Sequence, residues 1–172
     1  MVSLGKVDDR LFVSLVTVGL SVVVSKNVSD KIKLRFGRIG YILNSLWHGA
    51  SHEAFDIIVE TLNDEYYTKT HQLLIANSEI AFPTDTTYGV DVFEPKIGII
   101  SYADNSNKFA HAFGAMQSLL KRKPVEYAIK VSTQYAEITT SKPRSVAVDG
   151  EVFGETLITF SVVKDAVSVV IP

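Results

Sequence analysis

Fourteen consecutive residues near the start of the chain, Leu11 to Val24 (LFVSLVTVGLSVVV), limit its folding most, because so apolar a run must leave water. A membrane span needs about 20 residues with few polar groups, and this run is shorter and holds Ser14, Thr17 and Ser21. A secretory signal is the other reading, since Lys6 and Arg10 precede the run. Against it, Asp8 and Asp9 occupy the would-be positive region, and no small-residue cleavage site follows. The run is rich in β-branched residues, and Phe12, Val16, Val18, Leu20, Val22 and Val24 fall on alternate positions. It reads as a long strand with one well-buried face, broken or bulged near Gly19.

The remainder can supply a core for that strand. Of 172 residues, 47% are hydrophobic and 21% charged, too apolar for disorder and enough for one core without a covalent staple. Residues 1–172 therefore read as a single domain. Seventeen basic against nineteen acidic residues give a net charge of −2, which argues against nucleic-acid binding, since that needs a basic face. The absence of cysteine excludes disulfides, thiol catalysis and thiolate metal sites, and points to a reducing, cytoplasmic location.

Along the chain, Ser29 caps a predicted helix whose apolar stripe is Ile32, Phe36, Ile39, Leu43 and Leu46, ending near Gly49. Strands are predicted at Phe55–Leu62 and Tyr66–Ala76, joined by a hairpin at Asn63-Asp64. Asn77 to Lys96, with Pro83, Gly89 and Pro95, reads as a long irregular loop. Ile97–Tyr102 is a short buried strand. A second helix starts at Asn105 or Ser106 and carries Phe109, Ala112, Phe113, Met116 and Leu120 on one face. Lys121, Arg122 and Lys123 suit its negative end, and Pro124 closes it. Tyr127–Ile138, Ser145–Val148, Thr156–Val163 and Ala166–Ile171 are strand-like. Strands outnumber helices and no βαβ alternation occurs, so the expected fold is mainly β (α+β): an antiparallel β-sandwich with two packed α-helices.

Standard nucleotide-binding devices are missing: there is no phosphate-binding loop, dinucleotide fingerprint or nucleophile elbow. His48 and His52 lie four apart with Glu53 beside them. A helical zinc site needs its Glu directly after the first His, where Gly49 stands, so no metal is assigned. Lys31, Lys33, Arg35 and Arg38 flank the first apolar stripe, either as a solvated face or as a patch for anionic lipid headgroups. Asp149-Gly150-Glu151 carries the strongest local signal. Asp-Gly between alternating runs specifies a two-residue type I′ turn, and Glu151 could serve as a general base given a hydroxyl to deprotonate.

The C-terminal run Val146-Ala147-Val148-Asp149-Gly150-Glu151-Val152-Phe153-Gly154-Glu155-Thr156, followed by a strand and Asp165–Pro172, resembles the end of the bacterial diacylglycerol kinase-like lipid kinases, relatives of sphingosine and ceramide kinases. Arg10-Leu11-Phe12 leading to Gly19 is similar to the first strand of that family's C-terminal domain. Phe36-Gly37-Arg38-Ile39-Gly40-Tyr41 is similar to its first helix, and Leu74-Ile75-Ala76-Asn77 to a later strand. These matches are collinear from about residue 8 to residue 172.

The resemblance implies a β-sandwich forming the second half of a two-domain kinase. Glu151 would be the catalytic base towards a lipid hydroxyl, while Asp149 would shape the turn and join the catalytic hydrogen-bond network. The complete kinase would use ATP and Mg, held by an N-terminal nucleotide-binding domain through a Gly-Gly-Asp-Gly-Thr motif. That motif is absent from this chain, which therefore carries no cofactor of its own. Pro95 stands where the family has an Asp ligand for magnesium, with Glu94 one position away, so no metal site carries over. The partners implied are a lipid substrate and a separate or missing nucleotide-binding domain. Contact with a membrane would be peripheral at most. A strand edge left exposed could pair two copies. The alternative is a stand-alone, non-catalytic module binding lipid or another small molecule.

Overall fold

Backbone pairing in the computed structural model, which describes residues 1–19, 22, 53–77, 94–102 and 127–168, resolves the alternating segments into twelve strands. In order they are β1 (Val2–Val7), β2 (Arg10–Phe12), β3 (Leu15–Gly19), β4 (Phe55–Thr61), β5 (Glu65–Thr70), β6 (Gln72–Ala76), β7 (Ile97–Tyr102), β8 (Tyr127–Thr133), β9 (Tyr135–Thr140), β10 (Ser145–Val148), β11 (Glu151–Glu155) and β12 (Ile158–Val167). Sheet A has the order β2-β1-β12-β9-β4-β5, and sheet B the order β11-β10-β3-β6-β7-β8. All pairings among them are antiparallel, as the sandwich reading requires. The two expected helices lie outside the described residues. So do His48, His52, the basic residues from Lys31 to Arg38, and the loop between Asn77 and Glu94.

Between the sheets lie Val7, Phe12, Phe55, Ile57, Val59, Ile138, Ile158 and Phe160 from sheet A. Val16, Val18, Leu73, Ile75, Ile97, Ile99, Val146 and Val148 come from sheet B. Phe12 and Phe160 meet edge to face at 6.3 Å, a geometry worth about 1 kcal/mol beyond area burial. Sheet B is withdrawn from solvent on its other face as well. Ala147, Leu74 and Ile100, in one cross-strand row through Thr17, are 2%, 9% and 0% exposed. A sheet buried on both faces needs continuous apolar strands, which is why β6 reads LLIA and β7 reads IGII.

Three of the expected long strands are each two strands in different sheets. Leu11–Val24 is cut at Val13-Ser14, so that β2 belongs to sheet A and β3 to sheet B. β3 then ends at Gly19, where the break is expected; Gly19 has φ +98°, and a Cβ there would lie 2.5 Å from the His71 carbonyl oxygen. Tyr66–Ala76 is cut at His71, and Tyr127–Ile138 at Gln134. Conversely, the segments expected at Thr156–Val163 and Ala166–Ile171 run together in the single strand β12 as far as Val167, and residues 169–171 lie outside the described residues. Val2–Val7 is a further strand that its Ser, Gly and Lys disguised.

Threonine closes three of the crossings between sheets. At β5–β6, the Thr70 hydroxyl donates to the Gln72 carbonyl at 2.9 Å and accepts from the Gln72 N–H at 3.1 Å. At β8–β9, Thr133 does the same with Tyr135, at 2.9 and 3.3 Å. At β9–β10, Thr140 donates to the Lys142 carbonyl at 2.7 Å. A chain leaving one ladder for another strands backbone groups, and these hydroxyls take them up locally.

Candidate functional site

Asp149 and Gly150 form the turn between β10 and β11 at φ +48° and +90°, the two left-handed positions of a type I′ hairpin. Asp tolerates that region better than most residues, and Gly without strain. The Asp149 carboxylate reaches across the end of the sandwich. Its Oδ2 accepts the Val13 N–H at 2.9 Å, and its Oδ1 accepts those of Ser14 and Leu15 at 2.9 and 3.0 Å. Its own N–H donates to the Leu15 carbonyl at 2.9 Å.

Asn77, at the end of β6 and 2% exposed, holds the same crossing from the other side. Its Nδ2 donates to the carbonyls of Ser3 at 3.0 Å and Val13 at 3.3 Å, and its backbone N–H to Ser14 at 3.1 Å. Every N–H and C=O of Val13, Ser14 and Leu15 is thereby satisfied without a threonine corner. The Val13-Ser14 crossing between β2 and β3 is built by residues 63 to 136 positions away.

Glu151 opens β11 directly after this turn, with its side chain 76% exposed. Its Oε2 accepts a hydrogen bond from Arg10 Nη2 at 2.8 Å, and the Arg10 guanidinium stands 5.7 Å from the Phe153 ring centre. β2 and β11 are the edges of the two sheets on the same side, so this ion pair bridges the layers. Exposed ion pairs contribute only about 0–1 kcal/mol, so the pair orients the carboxylate more than it stabilises the fold. Large apolar side chains flank both partners in sequence and are exposed: Leu11, Val13, Val152 and Phe153.

The turn residues singled out from the sequence, Asp149 and Glu151, thus stand at one sandwich end beside Arg10 and Asn77, which had been given no role. Glu94 is tied to Lys96 at 3.1 Å, and no three acidic or histidine side chains among the described residues are placed to hold a metal ion. Those residues do not fit a magnesium ion, and no step is assigned to one here. Among the described residues no helix is long and apolar enough to cross a membrane.

No protein-family model matches the chain. A curated protein of Staphylococcus carnosus named "Putative lipid kinase" is 23% identical over 94% of this chain and 54% of its own length. The chain thus spans about half the length of the curated relative it matches. Two crystal structures from Bacillus anthracis share the fold over 95% of this chain. One, described as a "putative diacylglycerol kinase", has a TM-score of 0.69 at 18% identity and is covered over 53% of its length. The other, described as a diacylglycerol kinase, has a TM-score of 0.66 at 16% identity and is covered over 54%. In sequence and fold the chain resembles the C-terminal half of these lipid kinases.

Proposed function

We propose that this chain is the lipid-facing, base-supplying half of an ATP-dependent lipid kinase, with Glu151 as the general base. The carrying observation is the end of the sandwich itself: a turn fixed by three backbone N–H groups on Asp149 holds an exposed carboxylate with one oxygen on Arg10 and the other without a partner among the described residues. Its Oε1 would take the proton of a lipid hydroxyl as the hydroxyl oxygen attacks the terminal phosphorus of ATP. The new O–P bond forms while the bond to ADP breaks. Phosphoryl transfer asks the protein chiefly for positioning and charge stabilisation. Arg10 is a positioning residue for the carboxylate, and Asp149 for the turn.

ATP and magnesium would be held by a nucleotide-binding domain, as the resemblance implies, since this sequence lacks the Gly-Gly-Asp-Gly-Thr motif. The exposed Leu11, Val13, Val152 and Phe153 support a surface that meets acyl chains at a bilayer interface, a peripheral contact. Vesicle flotation tests this half of the reading. The 172-residue chain should float with vesicles containing diacylglycerol, and Leu11→Asp with Val152→Asp should abolish it. A wild-type chain that stays with the protein fraction at every lipid concentration overturns the lipid-facing role.

A further inference from the structure

Arg10 touches the proposed base, and its chemistry reaches beyond holding it. A guanidinium is a planar fork of five N–H donors with no acceptor, matched to carboxylate and phosphate oxygens alike. The 2.8 Å bond from Nη2 to Glu151 Oε2 uses one of those donors. The Arg10 side chain is 38% exposed, so it is open to a ligand from outside.

Both sheets set this guanidinium in place. Arg10 opens β2, the edge of sheet A, and the Phe153 ring on β11, the edge of sheet B, stands 5.7 Å from the guanidinium carbon. Attraction between a cation and an aromatic face keeps the charged group against that strand. Glu151 follows the turn that Asp149 ties to Val13, Ser14 and Leu15. Cation and carboxylate are thus positioned together by one end of the sandwich.

Charge balance across the proposed transfer gives Arg10 a second partner. Before the step, ionised Glu151 is the anion beside it. In the step, the lipid hydroxyl proton passes to Glu151 Oε1, and the hydroxyl oxygen bonds to the terminal phosphorus of the nucleoside triphosphate. The P–O bond to the nucleoside diphosphate breaks with its electron pair left on the diphosphate. Glu151 is then neutral, and the lipid oxygen carries a phosphomonoester of about −1.5 to −2 charge. That new anion is one covalent bond from the oxygen whose proton Glu151 took, and the other oxygen of the same carboxylate is 2.8 Å from Arg10.

We infer that Arg10 is the phosphate-binding residue of this site: it lets go of Glu151 as the carboxylate is protonated and takes the phosphomonoester of the lipid product in charge-assisted hydrogen bonds. The handover rests on the kinase reading, whereas the binding it requires is measured without catalysis.

Isothermal titration of the 172-residue chain with a short-chain diacylglycerol phosphate, and separately with inorganic phosphate, tests it. The lipid phosphomonoester should bind more tightly, because exposed Leu11, Val13, Val152 and Phe153 flank the pair in sequence. Equal affinities would overturn the lipid assignment and leave a site for free phosphate. Arg10→Ala should weaken lipid phosphomonoester binding about tenfold or more. Arg10→Lys should restore only part of it, since an ammonium keeps the charge and loses the fork. Glu151→Gln should tighten binding about twofold to fivefold by removing the anion that competes for Arg10. Lys142 is exposed and precedes β10, whereas Asp149 follows it, so Lys142→Ala should change nothing. A loss as large for Lys142→Ala as for Arg10→Ala overturns the proposal, as does a Glu151→Gln chain that binds no better than wild type. The two readings fail separately. Binding that tracks Arg10 in a kinase whose Glu151→Gln variant still transfers at full rate removes only the base assignment. Transfer lost with Glu151→Gln, but phosphomonoester binding indifferent to Arg10, removes only this one.

Discussion

Asp149 and Glu151 are two residues apart and have different physical duties. Asp149 accepts three backbone N–H groups and occupies a left-handed position, whereas Glu151 has one exposed partner. Asp149→Ala should lower the unfolding free energy by about 2 kcal/mol, discounted from three charge-assisted bonds because water can replace part of them. Glu151→Gln should stay within about 0.5 kcal/mol of wild type. Urea unfolding of both variants checks the contrast. Gly5 gives a purely steric case: a Cβ there would lie 2.1 Å from Cζ of Phe12, which packs over it from β2. Gly5→Ala should cost about 2 kcal/mol or more, and Phe12→Leu in the same chain should restore part of it. The Asp149-Gly150 turn was legible in the sequence because two φ-permissive residues separate two strands. Its bonds to Val13–Leu15 were not, since nothing in a sequence signals a partner 134 to 136 positions away.

At the scale of elements, the strands were easier to read than their breaks. In Tyr66–Ala76 burial changes from alternating in β5 to continuous over Leu73–Ala76 in β6. In Tyr127–Ile138 the buried positions change from odd at Ile129 to even at Ala136 and Ile138. Such a change of pattern marks a strand leaving one sheet for the other, and a threonine stands at each of these breaks. No phase change separates Phe12 from Val16, so that crossing left no trace in the alternation. Thr70→Val keeps the shape and removes both corner bonds of a fully buried residue. It should destabilise by about 1–3 kcal/mol, measured by thermal or urea unfolding. The β4–β5 hairpin adds a pH test. The Tyr67 hydroxyl donates to Asp56 Oδ1 at 3.2 Å, and that carboxylate pushes its pKa above the usual 10.0. A group raised on folding contributes fully below its unfolded value and loses that contribution as pH climbs through the folded one. The stability difference between wild type and Tyr67→Phe should be flat below pH 10 and shrink above it, as urea titrations across that range would show.

For the whole molecule, the antiparallel sandwich was readable from alternation alone, and the kinase likeness from a collinear set of short segments. The opposition of Arg10 and Glu151 was not, because it depends on which strands end as edges of which sheet. That topology also sets the division of labour proposed here. The sandwich offers one oriented carboxylate with exposed apolar neighbours, and in the proposed division the nucleotide is supplied by another domain. The central claim is that Glu151 removes the proton of a lipid hydroxyl. Its most direct measurement is the rate of phosphoryl transfer from ATP to lipid by the complete two-domain kinase carrying Glu151→Gln. The account predicts a fall of about 10²- to 10⁴-fold with the unfolding midpoint unchanged. A variant that phosphorylates lipid at near wild-type rate would contradict it and leave the sandwich as a binding module.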